Sequence, residues 1–318
     1  GSVTLTDLTE NLSGTSSDLA DAFAGTVTAQ SGTITITNNN YTVAELKTIN
    51  AATTGSIVLN DPSGALSGTS SDIAAALAGT ITTHTGTVAI TNNDYTLAEL
   101  VTINNASTGA ITLTTTDVGL TGSGSNLAAA LTATINYTGA VTVSGTDYTV
   151  AQLKTINDTT SGTITLSDAS VALSGDSTDI TAAFAGTVTT HTGTVTITNS
   201  DYTVAELKAI NDATSGNITL NSPNVNISGT SSDLVSAFAG TITEHTGVIT
   251  ITNSDYTVAQ LKTINAANSG SIVLSDPSVA LTGTAEDIAA ALAGTITKHT
   301  GSVTLTDLTE NLSGTSSD

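Results

Sequence analysis

Four histidines, His84, His191, His245 and His299, each stand immediately before Thr-Gly, and Tyr137 takes the same place in a fifth segment. Neutral imidazole is the commonest metal ligand, so such a column reads first as a metal row. The spacing argues against it. If modules alternate along a stacked array, like positions lie two strand spacings apart, roughly 10 Å, which is too far to share one ion. A stacked turn residue is the simpler reading, and no metal ligand is assigned.

The turn N-x-D-Y recurs as Asn92 with Asp94, Asn199 with Asp201 and Asn253 with Asp255. Oxygen-rich loops suit calcium, which takes about six to eight such ligands, but one Asp per copy is a poor cage, and Asx-turns prefer the same residues. Tyr41, Tyr95, Tyr148, Tyr202 and Tyr256 follow these turns, either as a packed ladder or as a carbohydrate-binding aromatic track. Lys47, Lys154, Lys208 and Lys262 share one helical position, with Val101 in the remaining copy. They read as a solvated row, since exposed ion pairs are worth about 0 to 1 kcal/mol.

On paper the Asp and His residues combine into an acid/base pair or a hydrolytic triad. Every candidate, however, recurs at its repeat position and is explained by capping or by a turn. No polar residue occurs once in a uniform run with a matching partner. The chain is expected not to be an enzyme, and no catalytic or cofactor-binding residue is assigned.

The elements that carry these residues are short. "GTVTITNSDYTVAELKAINDATS", residues 193–215, sets Val195 and Ile197 against Thr194, Thr196 and Thr198, the period-2 pattern of a strand with one buried face. Thr203 and Glu206 then form a capping box, repeated as Thr42 and Glu45, Thr96 and Glu99, Thr149 and Gln152, and Thr257 and Gln260. The helix buries Leu207 and Ile210, and Asn211 is expected to close it in a left-handed turn. A longer module, residues 216–246, adds an apolar alternation through Val225 and Ile227 before a helix start at Thr230 and Asp233. Thr15 with Asp18, Thr69 with Asp72 and Thr284 with Asp287 match that start. Gly240 ends this helix, as do Gly25, Gly79, Gly186 and Gly294, with Ala133 substituting in one copy.

Aligned on the glycine that opens each module, the chain alternates spacings of 31 and 23 residues, with a single 30 at Gly109. Helices of two turns are marginal alone, so each module must pack on its neighbours. The expected fold is an α/β repeat, a right-handed parallel β-solenoid with short capped helices, whose strands stack about 4.8 Å apart. The pattern is compatible with one coil per module and with one 54-residue coil containing both, because the long module's extra segments can form a second sheet or a decorated loop. Residues 1–300 read as one continuous solenoid unit. Residues 301–318 repeat "GSVTLTDLTENLSGTSSD" of positions 1–18 letter for letter and read as the start of the next unit. Self-association is therefore expected, end to end along the solenoid axis or within a longer tandem array.

Composition removes several functions. The chain has 27 acidic against 5 basic residues and a net charge of -22, which disfavours nucleic acid and anionic membrane surfaces. Cysteine is absent, which excludes disulfides and thiolate metal sites. No run of about 18 apolar residues is present, so membrane insertion is not expected.

The module pair "DYTVAELKAIN" and "LSGTSSDL…AFAGTIT" resembles the tandem repeats of giant cell-surface and secreted proteins of marine cyanobacteria, including those implicated in swimming motility. The resemblance implies a structural or adhesive segment of an extracellular fibre, surface layer or adhesin. Calcium-binding G-G-x-G-x-D nonapeptides, which some proteins of that class carry, are absent, so calcium is left only as an ion that screens or bridges acidic faces. A second reading rests on the outward strand position, held by Thr4, Thr35, Val58, Ala89, Thr112, Thr142, Thr165, Thr196, Thr219, Thr250 and Val273. Its threonines would offer a flat ligand-binding face for ice or carbohydrate, although Thr is also a good exposed strand residue.

Overall fold

The computed structural model describes residues 2–3, 6–132 and 135–307; Gly1, Thr4, Leu5, Ala133, Thr134 and residues 308–318 lie outside the described residues. The chain forms two compact units, Gly1–Asp168 with Ala185–Thr189, and Ala169–Phe184 with Thr190–Asp318.

In the first unit the helices are α1 (Ser16–Phe23), α2 (Val43–Ala51), α3 (Ser70–Ala76), α4 (Leu97–Ala106), α5 (Gly124–Ala130) and α6 (Val150–Thr159), each packed on the next. Three parallel three-stranded sheets accompany them. Leu12–Gly14, Ile34–Ile36 and Ile57–Leu59 form the first, Leu66–Gly68, Val88–Ile90 and Ile111–Leu113 the second, and Leu120–Ser123, Val141–Ser144 and Ile164–Leu166 the third. Ser2–Val3 pairs with Thr26–Val27, also in parallel. The second unit carries α7 (Ser177–Ala183), α8 (Val204–Ala213), α9 (Ser231–Ala237), α10 (Val258–Ala266) and α11 (Ala285–Ala291) in the same stacked order. Its sheets are Leu173–Gly175 with Val195–Ile197 and Ile218–Leu220, Ile227–Gly229 with Ile249–Ile251 and Ile272–Leu274, and Leu281–Gly283 with Val303–Leu305.

Register sets the spacing of the strand rungs. Ile34 stands opposite Leu12 and Ile57, and Ile57 also pairs with Ile81, so neighbouring rungs lie 22 to 24 residues apart and not 54, and one long module can supply two of them. The middle strand of each three-stranded sheet comes from a short module. The extra segment of the long module, such as Leu66–Gly68, opens the next sheet, while its later segment at Ile81 closes the previous one. The additional residues are therefore not a decorated loop: Leu66–Gly68 belongs to a different sheet from Ile57–Leu59, and the long module links one ladder to the next.

The core follows from the strand alternation. Ile34, Ile36, Leu46, Ile49, Val88, Leu100 and Ile103 are buried in the first unit, and Val195, Ile197, Leu207, Ile210, Ile249 and Ile251 in the second. All five short-module helices begin with complete capping boxes. At Thr203, Oγ1 accepts from the Glu206 N–H at 3.2 Å and the Glu206 carboxylate accepts from the Thr203 N–H at 2.8 Å. Gly79, Gly186, Gly240 and Gly294 adopt positive φ just beyond the long-module helices, as a left-handed exit requires.

One expectation fails. Asn211 does not leave α8 through a left-handed turn, since among the described residues only glycines have positive φ. It lies inside the helix, and its amide donates to the Ser236 carbonyl at 2.8 Å near the end of α9. Asn50 does the same for Ala75 and Ala78, and Asn265 for Ala290 and Ala293. The asparagine closes the next helix instead of its own.

Candidate functional site

The histidine row lies inside the molecule. His84, His191 and His245 are fully buried, and each extends from an isolated parallel bridge, to Ser107, Thr214 and Asn268 respectively. Nε2 donates to a backbone carbonyl 20 residues earlier in the same long module, Gly64 for His84 at 2.6 Å, Val171 for His191 at 2.7 Å and Val225 for His245 at 2.8 Å. His299 makes the same bond to Val279 at 2.7 Å. Other donors fill the position elsewhere: the Gln30 amide donates to the Glu10 carbonyl and the Tyr137 hydroxyl to that of Val118. The shared property is a donor long enough to reach a carbonyl 19 or 20 residues earlier in its own module. Burial pushes the imidazoles of His84 and His191 below the usual histidine range, which keeps them neutral.

With Nε2 protonated, Nδ1 is an acceptor. The hydroxyls of Ser107 and Thr214 stand 3.5 and 3.4 Å from it in their copies. At His245 the near atom is Asn268 Oδ1, 2.9 Å away, while Asn268 Nδ2 is buried without a partner. A half-turn of that amide brings Nδ2 onto Nδ1 and gives the ring its donor.

The N-x-D turns are also occupied by bonds to a neighbouring coil. Asn92 Oδ1 accepts from the Ser70 N–H at the start of α3 at 2.8 Å, and its Nδ2 donates to Ser70 Oγ and to Asp94. Asn199 with Ser177, and Asn253 with Ser231, repeat the arrangement. Ser70 Oγ in turn donates to Glu99, the capping-box acid of α4. One capping cluster therefore serves two successive helices. The turn oxygens that sequence offered to calcium are accepting these bonds, and among the described residues no group of three or more His, Cys, Asp or Glu is arranged to hold a metal ion.

The tyrosines do not present a stacking face. Tyr41, Tyr95, Tyr148, Tyr202 and Tyr256 are each 2% exposed. Their hydroxyls donate to carbonyls in the following module, Tyr95 to Thr115 at 2.8 Å and Tyr202 to Ser222 at 2.8 Å. Burial pushes the phenols of Tyr95, Tyr148 and Tyr202 up to about 12. An aromatic track for carbohydrate is not formed by these residues.

The lysines lie at the surface, as their row suggested, but three of them bridge helices. Lys47 pairs with Asp72 at 2.5 Å, Lys208 with Asp233 at 2.9 Å and Lys262 with Asp287 at 2.6 Å, while Lys154 meets Asp158 on its own helix. A cleft of about 600 Å³ opens beside α1 and α2, lined by Phe23, Glu45, Lys47 and Asp21 among others. Its glutamate is committed to the capping cluster and its lysine to Asp72. The outward strand row is in register: Thr121, Thr142 and Thr165 face one another across one sheet, and Ser174, Thr196 and Thr219 across another. Val58, Ala89 and Val273 interrupt it in other sheets.

No protein-family model and no curated protein matches this chain. No helix among the described residues is long and apolar enough to cross a membrane.

Proposed function

We propose that the chain is a structural repeat segment of a giant extracellular fibre, surface-layer or adhesin protein, and not an enzyme. In this reading the modules are coils of a right-handed α/β solenoid that stack through nearest-neighbour interfaces, with length set by copy number. The acidic surface keeps such arrays apart except where cations screen or bridge it. The observation that carries the proposal is the destination of the recurring polar groups. His191, Tyr202, Asn199 and Asn211 each spend their side chain on a partner 20 to 25 residues away, where a catalytic or ligand-binding residue would hold it free. The extracellular setting is supported by the resemblance of "DYTVAELKAIN" and "LSGTSSDL" to giant cell-surface repeats. Electron microscopy of a chain carrying several 300-residue units tests the reading: rods whose length grows with unit number are expected, and compact globules would remove it.

A second reading, a ligand-binding face on the outward threonines, is favoured by the in-register rows Thr121, Thr142, Thr165 and Ser174, Thr196, Thr219. Thermal hysteresis at high protein concentration tests its ice-binding form, and freezing without hysteresis would end it.

A further inference from the structure

Two side-chain ties hold successive helices together. The first joins the start of a long-module helix to the short module that follows it. The side chains of Asn38, Asn92, Asn199 and Asn253 accept from the first N–H of α1, α3, α7 and α9, given by Ser16, Ser70, Ser177 and Ser231. At α11 the same two places hold Asp307 and Ala285, and the tie survives the exchange, since the Ala285 N–H donates to both carboxylate oxygens at 3.1 Å. The second tie joins a short-module helix to the long-module helix after it, as Lys47 with Asp72, Lys208 with Asp233 and Lys262 with Asp287.

Helix α5 has neither. Gly124 and Gly145 stand in the places of the serine and the asparagine, so no side chain is present to make the tie toward α6. Val101 and Asn126 stand in the places of the lysine and the aspartate, 25 residues apart as in the other pairs, so the ion pair toward α4 is gone as well. Among the long-module helices α1, α3, α5, α7, α9 and α11, only α5 lacks both. What holds it is packing: Leu127, Ala130 and Leu131 are fully buried, and its first residue closes on Tyr148, whose Cβ would lie 2.7 Å from a Cβ at Gly124. Ser123 still caps the helix from within, accepting from the Asn126 N–H, and the Asn104 amide donates to the Ala129 carbonyl. The strands of the same modules have lost nothing. Leu120–Ser123 pairs with Val141–Ser144 over four residues, against three for Leu66–Gly68 with Val88–Ile90. A helix of seven residues is not stable alone, so its hold on α4 and α6 sets how readily it opens.

We propose that α5 is a release point built into the repeat: it lifts from α4 and α6 ahead of its counterparts, while Leu120–Ser123 and Val141–Ser144 stay paired. Its use rests on the fibre reading above, in which such a point lets the array yield locally under load without unzipping its sheets. Leu127 and Leu131 are the side chains that each opening uncovers.

Hydrogen exchange of the full 318-residue chain, read by mass spectrometry, tests it. After allowance for intrinsic rates, peptides covering α5 should exchange at least about tenfold faster than those covering α3 and α9. Peptides covering Val141–Ser144 should exchange no faster than those covering Val88–Ile90. Val101→Lys with Asn126→Asp installs the pair that α2 and α3 already carry, at positions that are half-buried and exposed. It should slow exchange in α5 about two- to fivefold. Gly124→Ser with Gly145→Asn should slow it further; if the close approach of Tyr148 keeps that chain from folding, the first pair of substitutions decides. Exchange in α5 as slow as in α3, loss of strand protection together with that of α5, or indifference of α5 to Val101→Lys with Asn126→Asp overturns the release point. The fibre reading, tested by the length of rods in electron microscopy, would survive that result.

Discussion

The imidazole of His191 reaches back 20 residues and donates to the carbonyl of Val171 at 2.7 Å, from a position with no exposure to solvent. Two consequences follow. The ring is neutral, and its protonation in place would put an unpaired charge into an aliphatic core.

Stability should therefore fall on mild acidification. The unfolded chain takes up protons near the ordinary value of 6.5, whereas burial depresses the folded values of His84 and His191 below it. The folded state thus binds fewer protons in that window, so stability is complete above about 6.5 and declines as pH drops below it. Replacing His84 and His191 with Gln, the residue present at Gln30, should flatten this slope. Urea midpoints at pH 7 and about 5 measure it. Equal slopes for variant and parent would refute the assignment. The carboxylates act in a separate range: Asp233, held low by Lys208, loses its contribution only as pH falls below the ordinary 3.8.

Removing the shared cap should cost more than removing a surface charge. Asn92→Ala orphans the first N–H of α3 and strips the Ser70 hydroxyl of a partner, an expected loss of about 1–2 kcal/mol. Asn92→Asp, the replacement that nature makes at Asp307, should cost less. Lys208→Ala should cost under about 1 kcal/mol, because both members of its pair are substantially exposed. Chemical denaturation of the three variants orders them, and a lysine effect equal to that of Asn92→Ala would contradict the ranking.

Gly216→Ala should be among the most damaging single-methyl changes. A Cβ there would lie 1.9 Å from the Gly193 carbonyl oxygen, a backbone atom that cannot step aside alone. Overpacking of this kind costs about 1–3 kcal/mol. A melting temperature unchanged by this substitution would mean that neighbouring coils are less closely apposed than described.

Calcium should act through the acidic surface and not through the N-x-D turns. Millimolar calcium is expected to promote self-association or raise the melting temperature beyond sodium chloride of matched ionic strength. Asn92→Ala should leave that increment unchanged, and its loss in the variant would return the turns to candidacy as a cation site.

The module boundaries, strands and helix starts were legible because local chemistry dictates them. Val195 and Ile197 alternate with threonine, and Thr203 with Glu206 spells a cap whose partners are three residues apart. What could not be read was any bond between coils. Asn92 and Ser70 are twenty-two residues apart, and nothing in either stretch says that one caps the other until the register is known. The same blindness made Asn211 look like the end of its own helix, since its partner, Ser236, lies in the next one. A signal was nevertheless present: where Asn gives way to Gly145, the matching Ser gives way to Gly124, and where Asp307 stands, Ala285 does. Paired changes at a spacing close to one module mark residues that touch. The burial of the histidines was not legible for a related reason, because the Val171 carbonyl that accepts from the His191 ring lies 20 residues away in sequence.

The central claim is that the recurring polar side chains bind partners about 20 residues away in the repeat and are not held free for a metal or substrate. Nitrogen NMR of the histidine rings tests it most directly. The account predicts that His84 and His191 are neutral Nε2–H tautomers whose ring protons exchange slowly with water and whose shifts do not respond to added zinc. Rings that titrate near the ordinary histidine value with rapidly exchanging protons, or whose nitrogens shift on stoichiometric zinc, would contradict it.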